Sequence, residues 1–371
     1  MMKFNEQINN SIILLDGAMG TQFQKMGLKG GEIPELLNIN NPDMVFEVSK
    51  SYIKSGSDII SANTFGANRR KLKDANEVSE VIKAGVKIAR AAAGNKAVAL
   101  DIGPTGALIE PLGTMTFDEA YDIFKEQILA GKDGADVVLI ETMSDLYELK
   151  AALLAVKENC DLPVMASMTF DESGRTFTGC SVEAFAITAS AWADALGINC
   201  SLGPDQIYPI MERLAQHTHL PLFIQANAGL PDSEMNYPVS AEEFAKSYEK
   251  YIDLGVNALG GCCGTTPEYI AKLNDLRQRK NVAVRNREYR TAVCSSTKVV
   301  YIDGVKVIGE RINPTGKKAM KQALIEKDFD YIANQTIEQV DAGAEILDVN
   351  AGLPQIDETQ MLTEMVKYIQ S

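Results

Sequence analysis

The chain has 371 residues, of which 46% are hydrophobic and 23% are charged. This composition supports a sizeable folded core and is not that of a disordered protein. The formal net charge of −14 argues against nucleic acid or an anionic membrane as the main partner, because both attract basic surfaces. No apolar run approaches the roughly 20 residues that cross a bilayer, and the amino terminus lacks the pattern of a signal peptide. We therefore expect an acidic cytoplasmic enzyme.

The first 280 residues repeat one pattern, in which a short apolar run is followed by a longer amphipathic segment. Eight such runs predict strands, at residues 11–17, 57–64, 96–104, 135–142, 163–170, 195–201, 221–228 and 257–264. The intervening segments have helical spacing, and several are expected to end at glycines, such as Gly56, Gly131 and Gly255. Near-continuous apolar strands alternating with helices are typical of a parallel sheet covered by helices.

Eight strand–helix units predict an α/β fold of the closed (β/α)₈ type, a TIM-type barrel, over residues 1–280. The alternative is an open, doubly wound sheet that binds a dinucleotide. That fold calls for a G-x-G-x-x-G turn after the first strand, whereas the first turn here reads DGAMGTQF. The sequence therefore favours the barrel.

A second, shorter pattern follows the barrel. Residues 281–298 are basic and polar, which is typical of a linker. Residues 299–371 then predict a hairpin that turns at Asp303-Gly304, followed by a strand, a helix, a second strand and a second helix. Because two βα units are too few to close a barrel of eight, we expect a partial second βα segment.

Polar residues stand where the predicted barrel strands end, which is where active sites of such barrels lie. A strand end is solvated, so each of these residues alone can be a simple cap. Together they predict a site. They are Asp16-Gly17, Asn63-Thr64, Asp101, Glu141-Thr142, Cys200-Ser201, Asn227 and Cys262-Cys263.

The cysteines give the sharpest chemical signal among these residues. Cys200 ends the sixth run, and Cys262 and Cys263 end the eighth, so the three can meet at one rim. Three thiolates suit zinc and leave a fourth position open for a substrate. Adjacent side chains on a regular strand point apart, but the surrounding glycines permit an irregular backbone. Buried inert thiols or a redox-active pair are the alternatives.

The other cysteines and three polar strand ends have simpler interpretations. Cys160, Cys180 and Cys294 are interpreted as inert thiols, as buried cysteines usually are. The three polar strand ends are Glu141, Asp16 and Asn227. Glu141 suits either a ligand ammonium group or a buried ion pair. Asp16 lies in a small turn that is either a simple tight turn or one whose amides hold an anion. Asn227 suits a weak metal ligand or a cap.

Five segments resemble the homocysteine S-methyltransferase family, and the resemblance covers residues 10–280. They are LLDGAMGT (14–21), ANTF (62–65), LIET (139–142), GINCS (197–201) and GGCCGT (260–265). Within this family the chain is most similar to the first domain of the cobalamin-dependent methionine synthases. The reason is the tail, because IGERINPTG (308–316) and DAGAEILDVNAG (341–352) resemble the opening of their pterin-binding domain.

The resemblance implies specific roles for individual residues. Cys200, Cys262 and Cys263 would bind Zn²⁺, with the homocysteine sulfur as the fourth ligand and Asn227 as a weak ligand when substrate is absent. Glu141 would bind the homocysteine amino group. Three further residues would orient the rest of that substrate: Asp16, Gly17 and Thr64. In the tail, Asn313, Asp348 and Asn350 match pterin-contacting positions, although two βα units are too few for a complete tetrahydrofolate site.

The implied reaction is transfer of a methyl group to the sulfur of homocysteine, which gives methionine. The implied donor is methylcobalamin held by another domain or protein. One alternative is a stand-alone methyltransferase with a sulfonium or betaine-type donor. The other is a non-catalytic module in which zinc has only a structural role.

Overall fold

The computed structural model describes residue 8 and residues 11–232, 236–281, 283–285 and 290–370. The chain divides into two compact units, one of residues 1–289 with 294–298 and the other of residues 290–293 with 299–371. The boundaries predicted from the sequence, 1–280, 281–298 and 299–371, stay predictions. None of the helices within the described ranges is long and apolar enough to cross a membrane.

The first unit contains one sheet of eight strands. They are β1 (Ile13–Leu14), β2 (Ile59–Ser61), β3 (Ala97–Ile102), β4 (Val137–Met143), β5 (Val164–Met168), β6 (Ala195–Asn199), β7 (Leu222–Ala226) and β8 (Ala258–Gly261). The strand order is β1-β8-β7-β6-β5-β4-β3-β2, and every ladder is parallel. Because β8 returns to β1, the sheet curls round on itself. The (β/α)₈ prediction is confirmed, and the doubly wound alternative is wrong, since its strand order would reverse at a switch point.

Side chains help to close the barrel between β1 and β2. The Asp58 backbone N–H donates to the Leu14 carbonyl at 2.7 Å, and the Leu14 N–H donates to Asp58 Oδ2 at 3.0 Å. The Ser61 N–H and hydroxyl donate to the two carboxylate oxygens of Asp16 at 2.7 and 3.1 Å. Two aspartates thus supply hydrogen bonds where the strand ladder ends.

Helices follow the strands around the outside, as their alternation predicts. They are α1 (Met19–Lys25), α2 (Leu37–Asn40), α3 (Pro42–Ser55), α4 (Ala75–Ala93), α5 (Phe117–Gly131), α6 (Leu146–Asn159), α7 (Val182–Ala189), α8 (Pro204–His217), α9 (Ala241–Leu254) and α10 (Pro267–Arg277). Gly56 and Gly255 follow α3 and α9 in the left-handed conformation, with φ of 110° and 90°. Gly131 ends α5 without this conformation. A Cβ there would lie 2.4 Å from Leu100 Cδ1, so close packing on β3 requires this glycine.

The barrel interior changes from apolar to polar towards the carboxyl ends of the strands. Inward-facing apolar residues include Ile13, Leu15, Ile59, Ala99, Val137, Leu139, Met165, Ala195, Phe223 and Ala258. Because strand side chains alternate, the next inward positions along five of these strands are polar: Asp101, Glu141, Ser167, Asn199 and Gln225. Gly197 lies between these layers in β6, where a Cβ would be 2.6 Å from the Phe223 ring. The barrel therefore presents a polar layer directly above a dense apolar core.

Four further strands follow residue 290: β9 (Ala292–Cys294), β10 (Val299–Tyr301), β11 (Ile308–Ile312) and β12 (Ile346–Val349). The helices are α11 (Lys318–Glu326), α12 (Phe329–Asp341) and α13 (Glu358–Gln370). The predicted hairpin across Asp303-Gly304 is wrong, because β10 pairs with β9 and β11 pairs in parallel with β12. α11 and α12 lie in the connection between these two parallel strands, and Gly309 of β11 packs against Gln339 of α12. The partial second βα segment is present as predicted.

Candidate metal centre

Three thiols converge at the carboxyl end of the barrel. The Sγ atoms of Cys200, Cys262 and Cys263 all lie within 4.8 Å of one another, and Cys200 Sγ lies 3.9 Å from Cys263 Sγ. Thiolates that share a tetrahedral zinc ion lie about 3.8 Å apart, given Zn–S bonds of about 2.3 Å. Among the residues that the structure describes, no other group of three His, Cys, Asp or Glu side chains converges in this way. The donor set and its spacing fit zinc.

A left-handed turn at the end of β6 positions Cys200. On a regular strand its side chain would point away from the barrel interior, because Asn199 points inward. Cys200 and Ser201 instead have φ of 60° and 59°, a conformation that costs free energy in residues other than glycine. The Cys200 N–H donates to the Gln225 carbonyl at 3.0 Å, and its own carbonyl accepts from the Leu202 N–H at 2.7 Å. These contacts hold the strained corner in place.

The cysteine pair lies just beyond the last strand. β8 ends at Gly261, and the Cys262 N–H donates to the Ala226 carbonyl at 2.8 Å. The Thr265 hydroxyl donates to the Cys262 carbonyl at 2.7 Å, and Gly264 has a φ of 83°. The expected irregular backbone around the pair is confirmed, and it brings both sulfurs to the same side.

The three thiols shift one another's pKa values through hydrogen bonds. Hydrogen bonds from the Cys262 and Cys263 thiols lower the pKa of Cys200 to about 3. The same contact with Cys200 raises the pKa of Cys262 well above its ordinary value and raises the pKa of Cys263 to about 12. Mutual hydrogen bonding therefore favours the thiolate form of Cys200 and the protonated form of the other two thiols.

Asn227 lies beside the thiols, between the two cysteine-bearing strands. It is 5% exposed, and its Oδ1 has no hydrogen-bond partner within the described ranges. A buried amide oxygen without a donor is costly, so a cation is a suitable partner for it. This observation supports the predicted weak ligand role, which stays a prediction.

Tyr237 is a further residue at this centre that the sequence analysis missed. Its ring packs on Gly264, where a Cβ would lie 2.2 Å from the ring Cγ. Burial, followed by the charges of Cys263, Cys200 and Cys262, raises the pKa of Tyr237 to about 12. Tyr237 lies ten residues beyond Asn227 in a loop, so no strand periodicity could have identified it.

Carboxylates line the polar layer next to the thiols. Burial, followed by the charges of Asp16 and Cys200, raises the pKa of Glu141 to about 8. Burial also raises the pKa of Asp16 to about 6, against the opposing effect of its hydrogen bonds from Ser61. The pKa of Asp101 is raised well above its ordinary value by burial and by the neighbouring charge of Glu141, and its buried Oδ1 has no donor among the described residues. This layer is suited to a cationic ligand group.

Three other predicted substrate residues already have protein partners. Asp16 accepts both hydrogen bonds from Ser61. The Thr64 hydroxyl donates to the Asp101 carbonyl at 2.7 Å. A Cβ on Gly17 would lie 2.8 Å from Thr265 Oγ1, so this position requires a glycine for packing. The adjoining Ala18 N–H donates to Thr265 Oγ1 at 3.1 Å and is thus not free to hold an anion. Their substrate roles stay predictions.

The remaining cysteines and both histidines lie away from the centre. Cys180 is fully buried, and burial raises its pKa to about 12. Cys160 directly follows α6, and Cys294 lies in β9. His217 ends α8 and His219 lies before β7, so both are at the amino ends of the strands. A histidine-based metal site is therefore not formed by these residues.

The three predicted pterin residues lie at one edge of the second unit. Asn313 follows β11 and Asn350 follows β12, while Asp348 lies within β12 and is exposed. Asn313 Oδ1 accepts from the Thr315 N–H at 2.9 Å, and Asn350 Oδ1 accepts from the Gly352 N–H at 2.8 Å. Parallel strands bring these positions together, and their contact with a pterin stays a prediction.

The buried carboxylate of Glu141 predicts how the stability of the metal-free protein depends on pH. The pKa of Glu141 is about 8 when folded, against an ordinary value of 4.5. Between these pH values the folded state binds more protons than the unfolded state. The contribution of Glu141 to the free energy of unfolding is therefore fully present below about pH 4.5 and is lost as the pH rises through about 8. Glu141→Gln should remove this contribution, making the loss of unfolding free energy from pH 5 to pH 8 smaller by on the order of 1–3 kcal/mol. Urea unfolding at both pH values measures it, and identical pH dependence in the two proteins would contradict it.

The chain is similar in sequence and in fold to known proteins. A family model described as Homocysteine S-methyltransferase matches residues 13–276. The methionine synthase of Mycobacterium leprae (strain TN) is 30% identical over an alignment 381 positions long, which covers 93% of this chain and 31% of that protein. The methionine synthase of Mycobacterium tuberculosis (strain ATCC 25618 / H37Rv) is 31% identical, with 92% and 31% covered. The chain thus spans 31% of the length of these relatives.

Solved structures show the same barrel. The metallated form of the homocysteine methyltransferase MmuM from Escherichia coli has a TM-score of 0.62 and 23% identity, and covers 73% of this chain and 96% of that chain. Its apo form has a TM-score of 0.59 and 24% identity, with 72% and 96% covered. At this level of identity the likeness concerns the fold alone.

Proposed function

Because the chain belongs to the homocysteine S-methyltransferase family, we propose that it transfers a methyl group to the sulfur of homocysteine and so forms methionine. The reaction would take place at a zinc ion bound by Cys200, Cys262 and Cys263. The observation that carries this proposal is the convergence of the three thiols within 4.8 Å at the end of the barrel where active sites lie.

The donor set is compatible with a catalytic zinc site rather than a closed structural one. Three thiolates leave one position for a substrate, and the amide oxygen of Asn227 is a weak neutral donor that a thiolate can displace. Bound zinc would keep a coordinated thiol deprotonated at neutral pH and fix its sulfur in place. The left-handed corner at Cys200 and the turn at Gly264 hold the protein sulfurs ready for this role.

The acidic layer provides the binding site for the other end of the substrate. The Glu141 carboxylate has no hydrogen-bond donor or cation among the residues described. The ammonium group of an amino acid would supply both, and its charge would bring the pKa of Glu141 back towards its ordinary value. Homocysteine offers an ammonium group and a thiol in one small molecule, which matches the adjacent carboxylate and thiol clusters.

Two observations favour methylcobalamin, held elsewhere, as the methyl donor. The family model ends at residue 276, whereas alignment with the methionine synthases covers 93% of the chain and so includes part of residues 277–371. Large apolar side chains are also exposed in loops at the thiol end of the barrel: Leu112 (61%), Phe177 (83%) and Leu230 (50%). Exposed apolar groups around a site are suited to docking a partner domain.

Assays with two donors test the proposed reaction. The zinc-loaded chain is incubated with homocysteine and either free methylcobalamin or S-methylmethionine, and methionine is quantified. We expect methionine from methylcobalamin. Turnover with S-methylmethionine alone would establish the stand-alone alternative, while the absence of both homocysteine binding and turnover would leave the structural zinc module.

A further inference from the structure

The asparagine of the GINCS segment has no role in the chemistry described so far, yet it is completely buried. Asn199 is 0% exposed and directly precedes the zinc-ligand candidate Cys200. It is the last residue of β6, and its side chain points into the barrel. Burying a primary amide is favourable only when its polar atoms are hydrogen-bonded, so its partners indicate its purpose.

Two of the three hydrogen bonds of the Asn199 side chain join it to β4, at the residue next to Glu141. The Thr142 backbone N–H donates to Asn199 Oδ1 at 2.9 Å. In return, Asn199 Nδ2 donates to Thr142 Oγ1 at 2.7 Å. A third bond comes from the Ser167 hydroxyl, which donates to Asn199 Oδ1 at 2.8 Å. Asn199 therefore holds both the backbone and the side chain of Thr142.

β4 has an irregular backbone at this point. Its register with β5 shifts between Ile140 and Met143, and Thr142 has a φ of 62°. A β-branched residue in the left-handed region is strained and needs compensating contacts. Bulges of this kind redirect a neighbouring side chain, and the neighbour here is Glu141. The two bonds to Asn199 compensate the strain at Thr142, the residue next to Glu141.

Asn199 thus connects the two anchors of an amino-acid thiol. It is covalently joined to Cys200, whose sulfur belongs to the thiol cluster, and it is hydrogen-bonded to the bulge that carries Glu141. We propose that Asn199 is a positioning residue that sets the separation between the Glu141 carboxylate and the thiol cluster, and thereby selects the chain length of the amino-acid substrate. This inference rests on the proposed function.

The chemistry explains why such a residue affects specificity. Homocysteine and cysteine differ by one methylene between the ammonium-bearing carbon and the sulfur, so only one of them can span two fixed anchors well. A displacement of about 1 Å in a positioned group can change rates by about a hundredfold. If the bulge in β4 relaxes, the carboxylate can move and the preference for the longer thiol should weaken.

Two variants test the role from opposite ends of the contact. Asn199→Ala removes all three hydrogen bonds, whereas Thr142→Val removes only the acceptor Oγ1, keeps a β-branched side chain and leaves the β6 strand unaltered. Ser167→Ala is the matched control, because it removes one bond to Asn199 but keeps both links to Thr142. Zinc content, calorimetric affinity for homocysteine and for cysteine without a methyl donor, and kcat and KM are measured for each.

We expect zinc content to be retained while homocysteine affinity falls about tenfold in both Asn199→Ala and Thr142→Val, with a KM effect larger than the kcat effect. The homocysteine-to-cysteine affinity ratio should fall by a similar factor. The double variant, with both Asn199→Ala and Thr142→Val, should bind homocysteine no more weakly than Asn199→Ala alone, because the two residues share one contact. Ser167→Ala should change these values less than threefold.

An unchanged affinity ratio in Thr142→Val would overturn the inference. So would zinc loss in Asn199→Ala together with normal behaviour of Thr142→Val, because Asn199 would then act only through Cys200. If the unmodified zinc-loaded chain bound neither thiol, the proposed function itself would fail, which is a distinct result.

Discussion

Replacement of Cys262 by serine is expected to lower zinc affinity at least about a hundredfold, because a neutral hydroxyl replaces one of three thiolates. Methyl transfer to homocysteine should fall below about 1% of the unmodified rate, since the substrate thiol would no longer be held as a thiolate. Cys262 is partly buried, and its N–H and carbonyl are engaged with Ala226 and Thr265, so serine leaves these backbone contacts in place. Metal analysis after dialysis and a coupled methionine assay measure both effects.

Cys160→Ser is the matched control for this substitution. Cys160 is also partly buried, but it directly follows α6 and does not belong to the thiol cluster. Zinc content and activity should remain those of the unmodified chain. Equal zinc content in Cys262→Ser and Cys160→Ser would contradict the assignment of the metal centre to the three converging cysteines.

Glu141→Gln should weaken homocysteine binding by about tenfold to a hundredfold while the zinc content stays unchanged. A hydrogen-bonded charge pair contributes about 1.5–3 kcal/mol, and the glutamine amide cannot replace the negative charge opposite an ammonium group. The carboxylate lies one residue before the Thr142 bulge, outside the thiol cluster. Titration calorimetry of the zinc-loaded protein with homocysteine provides the measurement.

An informative comparison for Glu141→Gln uses a thiol without the amino group. Binding of 4-mercaptobutyrate, which is homocysteine without its ammonium group, should be about equal in the two proteins. Glu126→Gln is the control variant. Glu126 lies on α5, and its Oε2 is 2.9 Å from Arg69 Nε, so this variant should bind homocysteine normally. Loss of 4-mercaptobutyrate binding equal to that of homocysteine would show that Glu141 acts on the centre as a whole rather than on the amino group.

The barrel was predictable because each of its signals is local. An apolar run and an amphipathic segment each fit within about fifteen residues, and eight repeats leave few parallel arrangements. The hairpin at Asp303-Gly304 failed because a turn signal does not decide which strands pair. Gly304 does adopt a left-handed φ of 89°, but β11 takes a partner almost forty residues further along the chain.

The site was only partly predictable for the same reason. Cys200, Cys262 and Cys263 are identified by residue type and by their positions at strand ends. The contact of Tyr237 with Gly264 and the hydrogen bonds between Asn199 and Thr142 depend on left-handed backbone conformations and on contacts between distant segments. Such conformations in residues other than glycine have no sequence signature, and they concentrate at functional sites.

The most direct test of the central claim is zinc-edge X-ray absorption of the zinc-loaded chain, recorded without and with homocysteine. Three protein thiolates with one open position predict that three sulfur atoms and one lighter atom bind the zinc without substrate. Addition of homocysteine should raise the number of sulfur atoms to four as the lighter ligand leaves. An unchanged set of bound atoms at saturating homocysteine would contradict the account and would indicate a closed, structural zinc site.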